Sequence, residues 1–250
     1  MRVNIRFVGV GAACAVACAA SASPVGIYQS NGTFESSIAG APDLDVVGIG
    51  GLGFSTSLVD GVNTGTWSWQ AGTGLRADTA SILSGSQWSV GIAFAHDGVS
   101  GFRKILDTRD RVSDRGWYNY SGTDALGFFS SDSGSEALGP GVFADVVITF
   151  DGATGRGFVD GSLSAASSQS EAALSAEALM HFFIDDAATG FRETGSGSVA
   201  SIVIWDRALS ASEVADLGAL VSIPAPSVVS ILSIGGLVAA RRRRGRADRA

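Results

Sequence analysis

The Asp-Gly pairs Asp97-Gly98, Asp151-Gly152 and Asp160-Gly161 cut the middle of this chain into short apolar runs. Asp-Gly supplies the positive-φ positions of tight hairpin turns. The runs between such turns are too short for helices and favour antiparallel strands. Residues 144–161 show this most clearly. An apolar strand over 144–150 ends at Asp151-Gly152, and a second over 155–159 ends at Asp160-Gly161. Further strands are expected at 45–48, 67–69, 88–94, 102–106, 116–120, 125–129, 180–184 and 199–205. Trp88, Val90, Ile92 and Phe94 alternate with Ser89, Gly91 and Ala93, which puts the large residues on one strand face. Ile202 and Ile204 alternate with Val203 and Trp205, so that strand is apolar on both faces and belongs in the middle of a covered sheet. The fold class is therefore all-β, an antiparallel two-sheet sandwich.

One helical signal interrupts the pattern. Ser210 precedes Glu213 by three positions, the spacing of a capping box, and Val214 and Leu217 then share a side. A short helix is expected there, packed on the edge of the sandwich. The Ser/Ala/Gln-rich stretch 165–178 reads equally as a loop or a helical excursion. No internal repeat is evident.

The two ends differ from this body. Arg2 and Arg6, an apolar run over 7–20 and the small residues Ala20-Ser21-Ala22 have the layout of a secretory signal peptide over residues 1–22. The run is short for a membrane span. Both cysteines, Cys14 and Cys18, fall inside it, so the body at 23–222 has none and its stability must come from its core. The stretch Ala15-Val16-Ala17-Cys18 lacks the leucine that a lipoprotein signal usually carries. At the other end, Pro224-Ala225-Pro226 precedes an apolar segment over 227–240, then Arg241, Arg242, Arg243 and Arg244, then Arg246 and Arg249. Arginines beside an apolar helix mark its cytoplasmic side, so membrane contact is expected through this segment.

The body carries nine basic residues against twenty-three acidic ones (the chain's 24 less Asp248), a net charge of −14. Such a surface repels nucleic acid and anionic lipid. About 200 residues suffice to bury a core without disulfides.

Two resemblances add to this reading. The tail, with Pro224, Pro226, the apolar segment and Arg241–Arg244, resembles the PEP-CTERM sorting signal, though Ala225 stands where that family usually has Glu. The resemblance implies a Gram-negative host, cleavage by signal peptidase at the front, and an exosortase-type enzyme that removes the tail and delivers the protein to the envelope surface. The body from Trp88 to Leu217 resembles the laminin G-like, concanavalin A-like jelly-roll domains. The residues that carry the likeness are 147–152, 157–161 and 199–214, the last including Trp205, Asp206, Arg207, Ala208, Leu209, Ser210 and Glu213. It implies a core role for Trp205 and a pairing of Arg207 with an acid or with backbone carbonyls. Many members have an acidic pair in the closing strand, where this chain has Ala200 and Ser201.

Four groups of residues bear on function. Asp185, Asp186 and Glu193, with Asp107 if it lies close, offer hard oxygens for calcium; the alternative is a solvated acidic loop in which Asp185 or Asp186 pairs with Arg192. The mixed-charge stretch 107–115 reads as a hairpin tip. Trp67 and Trp69 share a strand face, as do Tyr118 and Tyr120, and together with Trp117 they form a candidate sugar-stacking surface; the alternative is that the tryptophans are core. Catalytic signals are sparse. His96 and His181 are the only histidines, there is no Gly-x-Ser-x-Gly elbow, and the body's glutamates (Glu35, Glu136, Glu171, Glu177, Glu193, Glu213) show none of the Glu-x-Asp-x-x-Glu spacing of laminarinase-like hydrolases. The expectation is a non-enzymatic binding or adhesion protein for glycan or an envelope protein. A polysaccharide hydrolase with an unrecognised site and a passive coat protein remain as alternatives.

Overall fold

The computed structural model describes residues 23–168 and 170–223. Fourteen strands form two antiparallel sheets that face each other. The larger sheet runs, in spatial order, β12 (Ser162–Ser167), β11 (Gly155–Val159), β10 (Ala144–Phe150), β6 (Trp88–His96), β14 (Gly197–Trp205), β4 (Val62–Trp69) and β3 (Leu52–Val59), with β1 (Gly26–Gln29) also paired to β14. The smaller runs β2 (Asp45–Gly48), β5 (Thr73–Asp78), β13 (Leu179–Phe182), β7 (Arg103–Asp107), β8 (Gly116–Asn119) and β9 (Leu126–Phe129). This is the expected jelly-roll-like sandwich. Among the described residues no helix is long and apolar enough to cross a membrane.

The alternation in the sequence sets the two faces of the large sheet. Val90, Ile92 and Phe94 meet Ile202, Ile204, Val146 and Ile148 on the inner face, against Leu75, Ile105, Leu106 and Phe182. Val203 and Trp205 point the other way and join Ile27, Leu209, Val214 and Leu220 in a second cluster outside the sheet. That outer cluster explains why β14 is apolar on both faces. It is covered by helix α1 (Ala211–Asp216) and the chain that follows, a strap ending in a 3-10 turn at Leu220–Ser222. Ser210 and Glu213 form the expected capping box. Arg207 reaches Glu213 with two contacts, 2.5 and 3.0 Å, and Ala208 O at 3.3 Å. Leu220 seats where Gly91 has no side chain: a Cβ there would stand 2.8 Å from Leu220 Cδ2.

Several expectations need correction. Asp97-Gly98 joins no hairpin; it carries the chain from β6 of one sheet towards β7 of the other. A turn dipeptide marks a reversal but not the sheet in which the next strand lands. Strands β1, β3, β5 and β12 escape the sequence reading because Gly, Ser and Thr dilute their apolar content. The stretch 165–178 begins as the end of β12 and then makes one 3-10 turn at Ser170–Ala172. Asp60-Gly61, with φ of 48° and 79°, closes the β3–β4 hairpin.

Candidate functional site

The tryptophans proposed as part of a stacking surface are core residues, and the two tyrosines are not displayed as an open platform. Trp67, Trp69 and Trp117 are buried between the sheets, Tyr118 is buried on the opposite face of β8 beside Lys104, and Tyr120 is half-buried against Phe102 and Phe129. Period-two spacing fixed that Trp67 and Trp69 share a face, and the inner face is the one that removes most apolar area from water. Their indole N–H groups tie down loops: Trp67 Nε1 donates to Thr33 O (3.1 Å) and Trp69 Nε1 to Gly195 O (2.9 Å). Trp69 also stacks on Phe183, with centroids 4.0 Å apart.

The acidic residues do converge, around a cation that the sequence reading passed over. Lys104, in β7, is fully buried, and its Nζ lies 2.7 Å from Asp186 Oδ2 and 3.5 Å from Asp107 Oδ2. It donates to Arg115 O at 3.2 Å and sits 4.3 Å from the Tyr118 ring centroid. Tyr118 OH bridges Asp114 Oδ1 (3.1 Å) and Asp186 Oδ2 (3.3 Å). Asp186 therefore pairs with Lys104 rather than with Arg192. Nothing in the sequence pattern joins residues 104 and 186, which meet only when β7 and β13 pair.

The remaining carboxylate oxygens bind the two loops that leave this cluster. Asp107 Oδ1 accepts from Arg109 N and Arg111 N. Asp186 Oδ1 accepts from Ala188 N and Thr189 N, and Asp185 Oδ2 from Thr189 Oγ1 and Glu193 N. Burial raises the pKa of Asp107 against the opposing pull of Lys104. Desolvation, together with Asp114 and Asp185, pushes Glu193 up to about 7. Burial, more than its carboxylate neighbours, raises Tyr118. A calcium ion needs several oxygens free to turn towards one point. Here an ammonium already holds the centre of the cluster and Asp107 and Asp186 are each committed to it, so the donor set does not fit the calcium site expected from the sequence. Among the described residues no group of three or more His, Cys, Asp or Glu could hold a metal ion.

Directly beside the cluster is a cleft of about 640 Å³ at the loop end of the smaller sheet. Its walls include Gly48, Ile49, Ile184, Arg111, Phe191 and Thr194. Gly48 (φ 100°) lets β2 approach the wall closely; a Cβ there would clash with Gly72 O and stand 2.9 Å from Ile184 Cδ1. Ile49 is fully exposed and Phe191 is 52% exposed. Arg111 Cζ lies 5.2 Å from the Phe191 ring centroid, and its Nε donates to Asp185 O at 2.8 Å. Asp110, Arg111 and Phe191 all have left-handed backbones, at φ 56°, 60° and 61°. Strained non-glycine residues cluster where structure over-determines them; here the Asp107 and Asp186 hydrogen bonds do so, with Phe191 N donating to Asp186 O at 3.1 Å. The sequence marked Arg111 only as part of a charged loop. Phe191 could have been noticed as an aromatic stranded between Gly190 and Arg192, away from any strand.

A second hollow, about 620 Å³, lies over Ser68, Gln70, Asp97 and Ser198 and offers polar groups without an exposed ring. The sorting residues Pro224, Pro226 and Arg241 to Arg244, and the leader at 1–22, lie outside the described residues.

No curated protein sequence matches the chain. Several solved structures share its fold. Domain 4 of AbnA, a GH43 extracellular arabinanase from Geobacillus stearothermophilus solved with arabinotriose, superposes with a TM-score of 0.64 at 14% identity, covering 80% of this chain and 100% of that one. Trypanosoma rangeli sialidase gives 0.54 at 17% identity, over 77% of this chain and 32% of the sialidase. The binding domain of botulinum neurotoxin DC, solved with rat synaptotagmin II, gives 0.53 at 11% identity, over 78% of this chain and 51% of the toxin domain. At these identities the likeness is one of fold. The sequence itself carries the assignment, since residues 83–215, more than half of the chain, match the laminin G-type pattern. The protein belongs to the concanavalin A-like lectin/glucanases superfamily.

Proposed function

We propose that the body of this chain is a glycan-binding module that works without turnover, exported and sorted to the cell envelope. The observation that carries the reading is the Phe191 ring, half exposed at the mouth of the cleft and held there by Arg111. A rigid exposed ring is what a sugar face stacks on, and a guanidinium and the Thr194 hydroxyl supply hydrogen bonds beside it. The superfamily's name joins lectins with glucanases, and the arabinanase domain of the same fold was solved with arabinotriose. Export and tail processing rest on the signal-like residues 1–22 and on Pro224 to Arg244. A glycan array on the full chain, with arabino-oligosaccharides among the probes, tests the binding. Phe191→Ala is expected to weaken any hit by about tenfold or more. A blank array, or affinity indifferent to that change, overturns the reading.

One observation favours hydrolysis as a second reading. Glu193, pushed up to about 7 by burial with Asp114 and Asp185 beside it, is a carboxyl of the kind that serves as general acid in cleavage of glycosidic bonds. Release of reducing sugar from polysaccharide that vanishes in Glu193→Gln would establish it.

A further inference from the structure

The two sides of the sandwich end differently. On one, β12 and β9 are stitched together by Ser135 and Leu126, which exchange hydrogen bonds with Ser164. On the other, the edge strands β3 and β2 stand open. Phe54 (49% exposed), Leu58 (66%) and Val46 line that open side; Val46 shares a face with its core-facing partner Leu75.

Edge strands are normally defended by lysine, proline or a bulge. Strand β3, Leu52–Val59, has none of these, pairs with β4 in unbroken register, and contains no charged residue in a body of net charge −14. Its backbone orientation follows from the hairpin. Gly51 O accepts from Gln70 N at 2.9 Å, so the odd positions turn their backbone groups towards β4. Leu52, Phe54, Thr56 and Leu58 turn theirs outward. Among the described residues no backbone hydrogen bond uses them.

We infer that β3 pairs with β3 of a second copy, antiparallel about a two-fold axis at Thr56. In this register every outward-facing residue meets an outward-facing one. Thr56 lies opposite the partner's Thr56, and Phe54 opposite the partner's Leu58, with the reverse pair across the axis. On the other face Ser55 meets the partner's Ser57. Two aromatic–aliphatic pairs and matched hydroxyls are favourable cross-strand neighbours. A slip by one residue would place Phe54 against a residue of the opposite face. A slip of the pairing by two, which keeps outward groups opposed, would set Phe54 against Thr56 and give up both aromatic–aliphatic pairs, so the Thr56 axis is the register that the side chains favour. Charge selects the same partner: between two strongly acidic bodies, the uncharged strip is where approach meets least repulsion. The result is one continuous sheet across two copies, with an isologous interface.

Sedimentation of the full chain at tens of micromolar tests this. A dimer mass is expected for the wild type. Thr56→Lys sets two ammonium groups face to face at an exposed position, and its dissociation constant is expected to rise by about tenfold or more. The register is read by disulfide trapping in a Cys14→Ser/Cys18→Ser background. Opposed residues in a hydrogen-bonded antiparallel pair have Cα atoms about 5.5 Å apart, within disulfide reach. Thr56→Cys should therefore cross-link to its own copy, and Ser55→Cys should not. Circular dichroism confirms that each variant is folded. A monomeric wild type, association unmoved by Thr56→Lys, or cross-linking of Ser55→Cys as readily as Thr56→Cys overturns the inference.

Discussion

Lys104 and Asp186 form an ion pair at 2.7 Å in which both side chains are fully buried. The pair joins β7 to the loop after β13, and its oxygens and neighbours hold the two loops that bear Arg111 and Phe191. Removing one partner of a buried pair leaves an uncompensated charge, at a cost of about 3–5 kcal/mol. Lys104→Met is expected to lower stability by that amount in urea titrations. Lys104→Met with Asp186→Asn should cost less than the two changes summed, because the second removes the orphaned charge. Chelator should leave the wild-type melting temperature unchanged.

His96 gives a pH dependence of definite sign. It is caged by Trp69, Phe94 and Phe183, and burial pushes its pKa down to about 4 despite the partial offset from the Ser196 backbone. The unfolded chain takes up this proton near 6.5, the folded one only near 4. Its contribution to stability is therefore complete above pH 6.5 and is lost as pH falls towards 4, by roughly 3 kcal/mol for a shift of this size. Chemical denaturation of wild type and His96→Phe at pH 7 and 4.5 isolates the effect. The difference between them should move in favour of the variant at the lower pH.

Asp145 acts in the opposite direction. Burial, with Asp60 and Asp160 nearby, raises its pKa to about 6, while Leu220 N donates to its Oδ2 at 3.0 Å. The folded state takes up a proton here before the unfolded state does, so stability rises as pH falls from about 6 towards 4. The neutral isostere Asp145→Asn should stabilise the fold at pH 7.5 by about 1–2 kcal/mol, discounted for partial exposure, and the gain should disappear below pH 4.5.

The strap depends on Gly91. Gly91→Ala places a methyl 2.8 Å from Leu220 Cδ2 and 3.2 Å from Trp205 Cζ3. Overpacking of this kind costs about 1–3 kcal/mol. Limited proteolysis should show faster cutting after Leu209 in the variant. The capping box of α1 is untouched, so far-ultraviolet circular dichroism should barely change.

The architecture was legible because it rests on patterns that are local. Alternation over 88–94 and 199–205, the Asp-Gly turns at 151 and 160, and the Ser210–Glu213 cap each specify their element from a few neighbouring residues. Strand β3 was not legible, since Gly53, Ser55, Thr56 and Ser57 resemble a loop until β4 supplies their partners. The site was harder still. Acidic residues at 107, 185, 186 and 193 could be picked out, but their cation could not: Lys104 sits among Arg103, Ile105 and Leu106 and looks like a surface residue of a strand. The tryptophan pair misled for a related reason, as spacing gives a shared face but not which face is wet.

The strap also sets how the molecule is presented. Gln29 Nε2 donates to Val221 O (3.1 Å) and Ile223 O (3.4 Å), so the chain is handed on at Ile223 from beside β1, on the outer side of the larger sheet. The cleft is lined by residues of the smaller sheet and its loops, in the other layer of the sandwich. On the proposed reading of the tail as an anchor, attachment at Ile223 and ligand capture at the cleft fall to different layers of the sandwich, so the two tasks draw on different residues.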